Sequence, residues 1–236
     1  MYMFKKKRKT PTSIARKLVV QSNPKSVISE QFRAIRTNIN FSMPDQDLKT
    51  LLITSAGPSE GKSTTSANIA GVFAQEGKKV ILVDSDMRKP TAHYTFKLRN
   101  SYGLSSLLTR QCELSEAIQQ SDLENLWVIP SGMIPPNPAE LVGSKQMDIV
   151  VENLLKEFDL IVFDAPPLLS VTDAQILSNK CDATILVVNS GESEKEEVLK
   201  AKEILEISKA NIIGVVLNNF TLQKDHYYYH YYGSEE

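Results

Sequence analysis

The chain has 236 residues, 42% of them hydrophobic, with 27 Lys and Arg against 28 Asp and Glu for a net charge of −1. That length suits one large α/β domain, and the apolar fraction is enough to fill its core. The near-neutral balance excludes a basic surface made for nucleic acid as the primary ligand. No apolar run approaches the roughly 20 residues that cross a bilayer.

In chain order, residues 1–25 read as a basic flexible arm, polar and broken by prolines. Within it, Lys5-Lys6-Lys7-Arg8-Lys9 reads either as a solvated run or as a patch for anionic lipid. No apolar stretch follows these charges, so they do not read as a secretory signal. A domain is expected over 26–222. It opens on a helix from Ser26 to Phe41, with Ile28, Phe32, Ile35 and Ile39 at helical spacing. Then come a strand at 51–53, a helix over 62–75 stopped by Gly77, and a buried strand at 80–83. Two short helices are expected within 104–121, a strand at 126–129, and a helix over 138–157 with a break near Gly143. Strands at 160–163, 184–188 and 212–217 alternate with helices near 172–179 and over 194–209. Short continuous apolar strands alternating with helices predict a mostly parallel central sheet with helices on both faces. Cys112 and Cys181 are far apart, without metal-ligand spacing, and read as reduced cytosolic thiols. Residues 223–236 form a tail holding five of the eight tyrosines: Tyr227, Tyr228, Tyr229, Tyr231 and Tyr232.

The segment Ala56-Gly57-Pro58-Ser59-Glu60-Gly61-Lys62-Ser63-Thr64 sits between a strand and a helix, as a phosphate loop must. Its backbone N–H groups and the helix N-terminus suit a β-phosphate. Lys62 can reach the β- and γ-phosphates of ATP, and the Ser63 hydroxyl can ligate Mg²⁺. Gly57 through Thr64 are therefore the candidate nucleotide-binding residues. Two further strands end in carboxylates, Asp84-Ser85-Asp86 and Asp164. Strand C-terminal ends share one edge of a parallel sheet. One such Asp is often a helix cap. Three beside a phosphate loop point instead to metal and acid–base work: one or two bind Mg²⁺ through solvent and the third is free to accept a proton, the candidates being Ser63, Asp86 and Asp164 for the ion and Asp84 for the base.

Together these residues resemble the bacterial protein-tyrosine kinases of the capsular and exopolysaccharide type. The resemblance rests on the Walker A loop, the second aspartate motif Ile81–Arg88, the Walker B strand Leu160–Pro167, the stretch Ile134-Pro135-Pro136-Asn137-Pro138-Ala139-Glu140-Leu141 and the tyrosine tail. It implies a P-loop kinase that uses ATP and Mg²⁺ to phosphorylate its own tail tyrosines, in trans within a ring of identical subunits. It also implies a transmembrane adaptor that activates the kinase, a cognate tyrosine phosphatase, and a cytoplasmic location at the inner face of the membrane. Glu30, Arg33 and Arg36 match the family's E-x-x-R-x-x-R, which implies a subunit contact. Without the resemblance they read as a salt-bridged surface. Asn218 is implied at the adenine edge. The family's loop usually reads P-G-E-G-K, and here Ser59 replaces the first glycine. A positive φ there would cost about 1 kcal/mol or more. Two other readings share these residues. One is a P-loop ATPase switch of the partitioning or positioning type; the other is an interaction module with an aromatic tail.

Overall fold

The structure is a computed structural model that describes residues 16–44 and 47–220. The chain runs α1 (Val19–Ser22), α2 (Val27–Ser42), β1 (Thr50–Ser55), α3 (Lys62–Gln75), β2 (Val80–Asp84), α4 (Ala92–Thr95), α5 (Leu104–Leu108) and α6 (Leu114–Ala117). It continues β3 (Gln119–Gln120), β4 (Leu126–Ile129), α7 (Pro138–Val142), α8 (Lys145–Leu154), β5 (Leu160–Asp164), α9 (Asp173–Ser178), β6 (Ala183–Asn189), α10 (Lys195–Ile207) and β7 (Ile212–Asn218).

The strands form a seven-stranded sheet in the order β3-β4-β2-β5-β1-β6-β7. Every pairing is parallel except that of β3 with β4. Strands β1, β2 and β5 are buried along their whole length. That is why they read as unbroken apolar runs rather than alternating ones. Two cores result. Ile39, Ile69, Phe73 and Val162 pack between one face and helices α2 and α3, while Leu107, Met147, Leu177, Phe163 and Leu205 fill the other.

Local chemistry places the boundaries. The Ser26 side chain accepts from the Ser29 N–H and starts α2. Pro138 stands at the first turn of α7, where a missing N–H costs nothing. The helix expected over 138–157 is broken where foreseen, with Gly143 closing α7 and Ser144 opening α8.

The N-terminal boundary lies earlier than residue 26. Helix α1 falls inside the stretch expected to be arm, and its Val20 is fully buried. The Val20 N–H donates to Asn68 Oδ1 at 3.1 Å, Asn68 Nδ2 to the Lys17 carbonyl at 3.0 Å, and Gln75 Nε2 to the Val20 carbonyl at 3.0 Å. A Cβ on Gly71 would come within 2.8 Å of Val20 Cγ2, so the glycine admits this strap onto α3. The pattern was unreadable because one turn of helix is too short to show a period. The basic run 5–9 and the tail tyrosines lie outside the described residues.

Candidate active site

The phosphate loop follows β1, and α3 begins at Lys62. Ser59 has φ 66 and Gly61 has φ 99. Ser59 is thus held in the left-handed region that the sequence made a concern. Among the described residues, no protein acceptor takes the N–H groups of residues 59–63. These unpaired donors at a helix start form an anion seat.

The loop is tied down from its flanks. The Gly57 N–H donates to Glu60 Oε2 at 3.0 Å, and the Ser193 hydroxyl donates to Glu60 Oε1. Asn218, at the end of β7, donates from Nδ2 to the Glu60 carbonyl at 3.1 Å. A Cβ on Gly61 would meet that same Nδ2 at 2.1 Å, so only glycine fits beneath Asn218.

The three carboxylates converge as their strand ends require. Asp84 and Asp164 are cross-strand partners on β2 and β5. Lys62 Nζ lies 2.9 Å from Asp86 Oδ2 and 3.6 Å from Asp164 Oδ1, and all three side chains are buried. Burial alone would lower the Lys62 pKa. Asp164, then Asp86, outweigh it, and the ammonium is held above its ordinary value. Asp164 is pushed up, first by burial, and its Oδ1 accepts from Ser66 Oγ at 3.3 Å.

Asp84 has two uses for its two oxygens. Oδ2 accepts from the Thr91 and Ala92 N–H groups, at 3.0 and 2.9 Å, at the start of α4. This is the helix-cap role open to any strand-end aspartate. Oδ1 is buried without a partner among the described residues. Burial, then the Asp164 charge, raise the Asp84 carboxyl to about 7.

Asp86 accepts the Lys89 N–H on its other oxygen at 3.0 Å. Two residues on, Arg88 forms a two-bond pair with Asp173, Nε to Oδ2 at 3.1 Å and an Nη to Oδ1 at 3.0 Å. Asp173 is fully buried at the first turn of α9. The pair joins the loop carrying Asp86 to the one that follows Asp164. Sequence reasoning passed over Asp173, because an acid at a helix start already has a reading as a dipole partner.

Among the described residues, no three His, Cys, Asp or Glu side chains form a metal cage. A nucleotide-site Mg²⁺ needs only one or two carboxylates beside phosphate oxygens and water, so Ser63, Asp86 and Asp164 fit that ion.

Glu30, Arg33 and Arg36 are engaged within the chain. Arg33 pairs with Glu30 and donates to the Pro24 carbonyl at 2.8 Å. Arg36 donates to the Val72 carbonyl in α3 at 3.1 Å and lies 3.7 Å from Glu76. Of the three side chains, Glu30 is the most exposed, at 66%.

A family model described as AAA domain matches residues 48–196. Tyrosine-protein kinase YwqD of Bacillus subtilis (strain 168) is 48% identical over 221 residues, covering 94% of this chain and 93% of that protein. The chain belongs to the bacterial protein-tyrosine kinases of the capsular and exopolysaccharide type. Solved structures agree. The chimerical protein CapA2B2 superposes with a TM-score of 0.84 at 44% identity, covering 88% of this chain and 93% of that one. The kinase domain of Escherichia coli tyrosine kinase ETK gives 0.82 at 31% identity, covering 95% and 89%. The kinase therefore has the nucleotide-binding P-loop fold and transfers phosphate to protein tyrosine. The partitioning-type switch and the bare interaction module are set aside.

Proposed function

We propose that this kinase autophosphorylates Tyr227, Tyr228, Tyr229, Tyr231 and Tyr232 in trans within a ring of subunits, and thereby regulates capsular or exopolysaccharide synthesis or export. The observation that carries the reading is the cluster of Lys62, Asp84, Asp86 and Asp164 beside an anion seat, with Asp84 Oδ1 left unpartnered.

ATP lies on Gly57, Pro58, Ser59, Glu60, Gly61, Lys62, Ser63 and Thr64, with Asn218 at the adenine edge. In the structure Lys62 bonds Asp86. Phosphate oxygens compete for the same ammonium and draw it toward the β- and γ-phosphates. Ser63 and Asp86 would hold Mg²⁺, with Asp164 acting through water, and the ion would supply neutralising charge to the phosphates. The bond from the γ-phosphorus to the β,γ-bridging oxygen breaks, that oxygen leaves with ADP, and the γ-phosphoryl passes to a tyrosine Oη while Asp84 accepts the phenol proton. A phenol of pKa about 10 is mostly protonated at neutral pH, so a carboxyl raised to about 7 is well placed to assist.

The tail follows β7, whose last residue Asn218 touches the phosphate loop. Tyr227 is within about 30 Å of Asn218 at roughly 3.3–3.6 Å per extended residue, enough to enter a neighbour. Glu30 supplies the exposed side of the ring contact, and Arg33 and Arg36 fix α2 behind it. Each phosphate adds about −1.5 to −2 charge, which repels the tail from the carboxylates and loosens the ring. A transmembrane adaptor holds the kinase at the inner face of the membrane and activates it, and a cognate phosphatase resets the tail.

The test is γ-labelled ATP with the purified chain and adaptor. Replacing one tail Tyr with Phe should change incorporation little, and replacing all five should abolish it. Full labelling of the five-fold variant would refute the tail as acceptor.

A further inference from the structure

The stretch Ile134–Leu141 helped mark the family but has no part in the nucleotide site. Its second half is structural: Pro138 and Val142 are buried in α7. Its first half does the opposite. Ile134 is 64% exposed and Met133, just before it, 76%; Tyr102, the residue before the Gly103 that packs on this loop, is 46% exposed.

This exposure does not come from a slack loop. The Leu104 N–H donates to the Pro130 carbonyl at 2.8 Å and the Ser105 N–H to the Ser131 carbonyl at 2.9 Å. Asn100 closes a pair of bonds with Gly132, Nδ2 to its carbonyl at 3.0 Å and its N–H to Oδ1 at 2.9 Å. Gly103 packs so tightly that a Cβ would lie 2.2 Å from the Pro130 oxygen and 2.4 Å from the Gly132 nitrogen. Adjacent apolar side chains exposed on a backbone tied down in this way are available to a partner.

Its position is beside the carboxylate site. Strand β4 pairs with β2 through Val83↔Ile129. The loop therefore leaves the sheet one strand spacing, about 4.8 Å, from Asp84.

We propose that Tyr102, Met133 and Ile134 form an acceptor platform for the tyrosine-rich segment 226–233 of a second copy of this chain. This rests on the tail being the acceptor. Five phenols in one short segment call for an apolar and aromatic seat, and methionine sulfur packs well on aromatic rings. In an extended peptide, side chains two residues apart point the same way, about 6.6–6.8 Å from one another. With one phenol at Asp84, its same-face neighbours along the peptide are the ones offered to Met133 and Ile134. A second copy fits better than the chain's own tail. Strands β7 and β4 are separated by β6, β1, β5 and β2. A tail leaving Asn218 would have to cross its own phosphate loop to reach the platform, whereas a neighbour's tail need not.

The test uses the full-length chain and a fluorescent synthetic peptide of residues 221–236, read by anisotropy. The double variant Met133→Ser/Ile134→Ser should bind the peptide about tenfold more weakly, which is about 1.4 kcal/mol, with ATP affinity unchanged. Tyr102→Ser alone should give a smaller loss in the same direction. A peptide with its tyrosines changed to Phe should still bind, and one with Ser should not. Equal affinity of wild type and double variant for the peptide overturns the platform. So does a double variant that keeps peptide affinity but loses oligomer mass, because the face is then a subunit contact. Phosphotyrosine on the peptide is scored separately. If wild type binds the peptide through these residues yet never phosphorylates it, the acceptor reading fails and the platform stands. If wild type phosphorylates it and the double variant binds it equally well, the platform alone fails.

Discussion

The phosphate-loop region and the loop after β4 leave the same edge of one sheet, and they invert the usual partition of residues in opposite ways. Around β1, β2 and β5, a lysine and three carboxylates are buried together. After β4, a methionine and an isoleucine stand in water. In the first region the charges answer one another, Lys62 lying between Asp86 and Asp164. In the second the backbone is locked by Asn100, Gly103 and Gly132 while the side chains satisfy nothing nearby. A buried ionic cluster is costly to desolvate, and an exposed apolar pair forgoes burial. Both are the kind of departure from local consistency that marks a working surface. On the readings proposed above, the first serves phosphate and a proton and the second an aromatic chain.

The largest effect that separates the two regions comes from Lys62→Met. It removes the cation that phosphate oxygens compete for and leaves Asp86 and Asp164 facing each other. Phosphotyrosine formation should fall by about a thousandfold or more, as for loss of other transition-state charge donors. Binding of the tail peptide should stay near the wild-type value. Normal labelling by this variant would sink the mechanism. Weakened peptide binding would show that the two regions are not separable.

The next effect is a pH profile. Asp84 is raised to about 7, first by burial and then by Asp164. As a base it must be ionised, so kcat/KM should fall as pH drops through about 7. Stability moves the other way. The folded state keeps a proton on Asp84 that the unfolded chain releases near 3.8. Stability therefore declines as pH rises from about 4 to about 7. Asp84→Asn should abolish the rate and flatten that decline, as read by denaturant midpoints across the range. Midpoints for Asp84→Asn that track wild type would mean that the carboxyl is not held in its protonated form.

Much of this was legible before the fold was known, for a physical reason. Buried parallel strands and the phosphate-loop helix carry strong local signals. The strand at 126–129 and the helix over 62–75 fall where the sequence put them. The convergence of Asp84, Asp86 and Asp164 followed from sheet topology alone. What was not legible depends on contacts between segments far apart in the chain. Helix α1 is held by Asn68 and Gln75, and the two-residue β3 exists only because β4 pairs with it. The Arg88–Asp173 pair spans 85 positions. Nor could the sequence say that Asp84 would be both a helix cap and a half-free carboxylate. The exposure of Met133 and Ile134 was equally hidden, since apolar residues before a proline run read as well for a core as for a surface.

The smallest effect tests whether the phosphate loop holds local strain that the loop after β4 avoids. In that second loop the left-handed position is Gly132, at φ 77, where no Cβ objects. In the phosphate loop it is Ser59, at φ 66. An L side chain there costs about 1–2 kcal/mol, while glycine gives back about 0.5–1 kcal/mol through its greater freedom in the unfolded chain. Ser59→Gly should therefore stabilise the protein by about 0.5–1 kcal/mol, seen as a higher urea midpoint at constant slope. The backbone N–H that faces a phosphate is the same in both residues, so ATP affinity should move by less than about threefold. A stability gain with unchanged affinity locates the strain in the apo loop's φ alone. An unchanged midpoint would mean that Ser59 sits in this conformation without strain, and the contrast between the two loops would then rest on burial and exposure only.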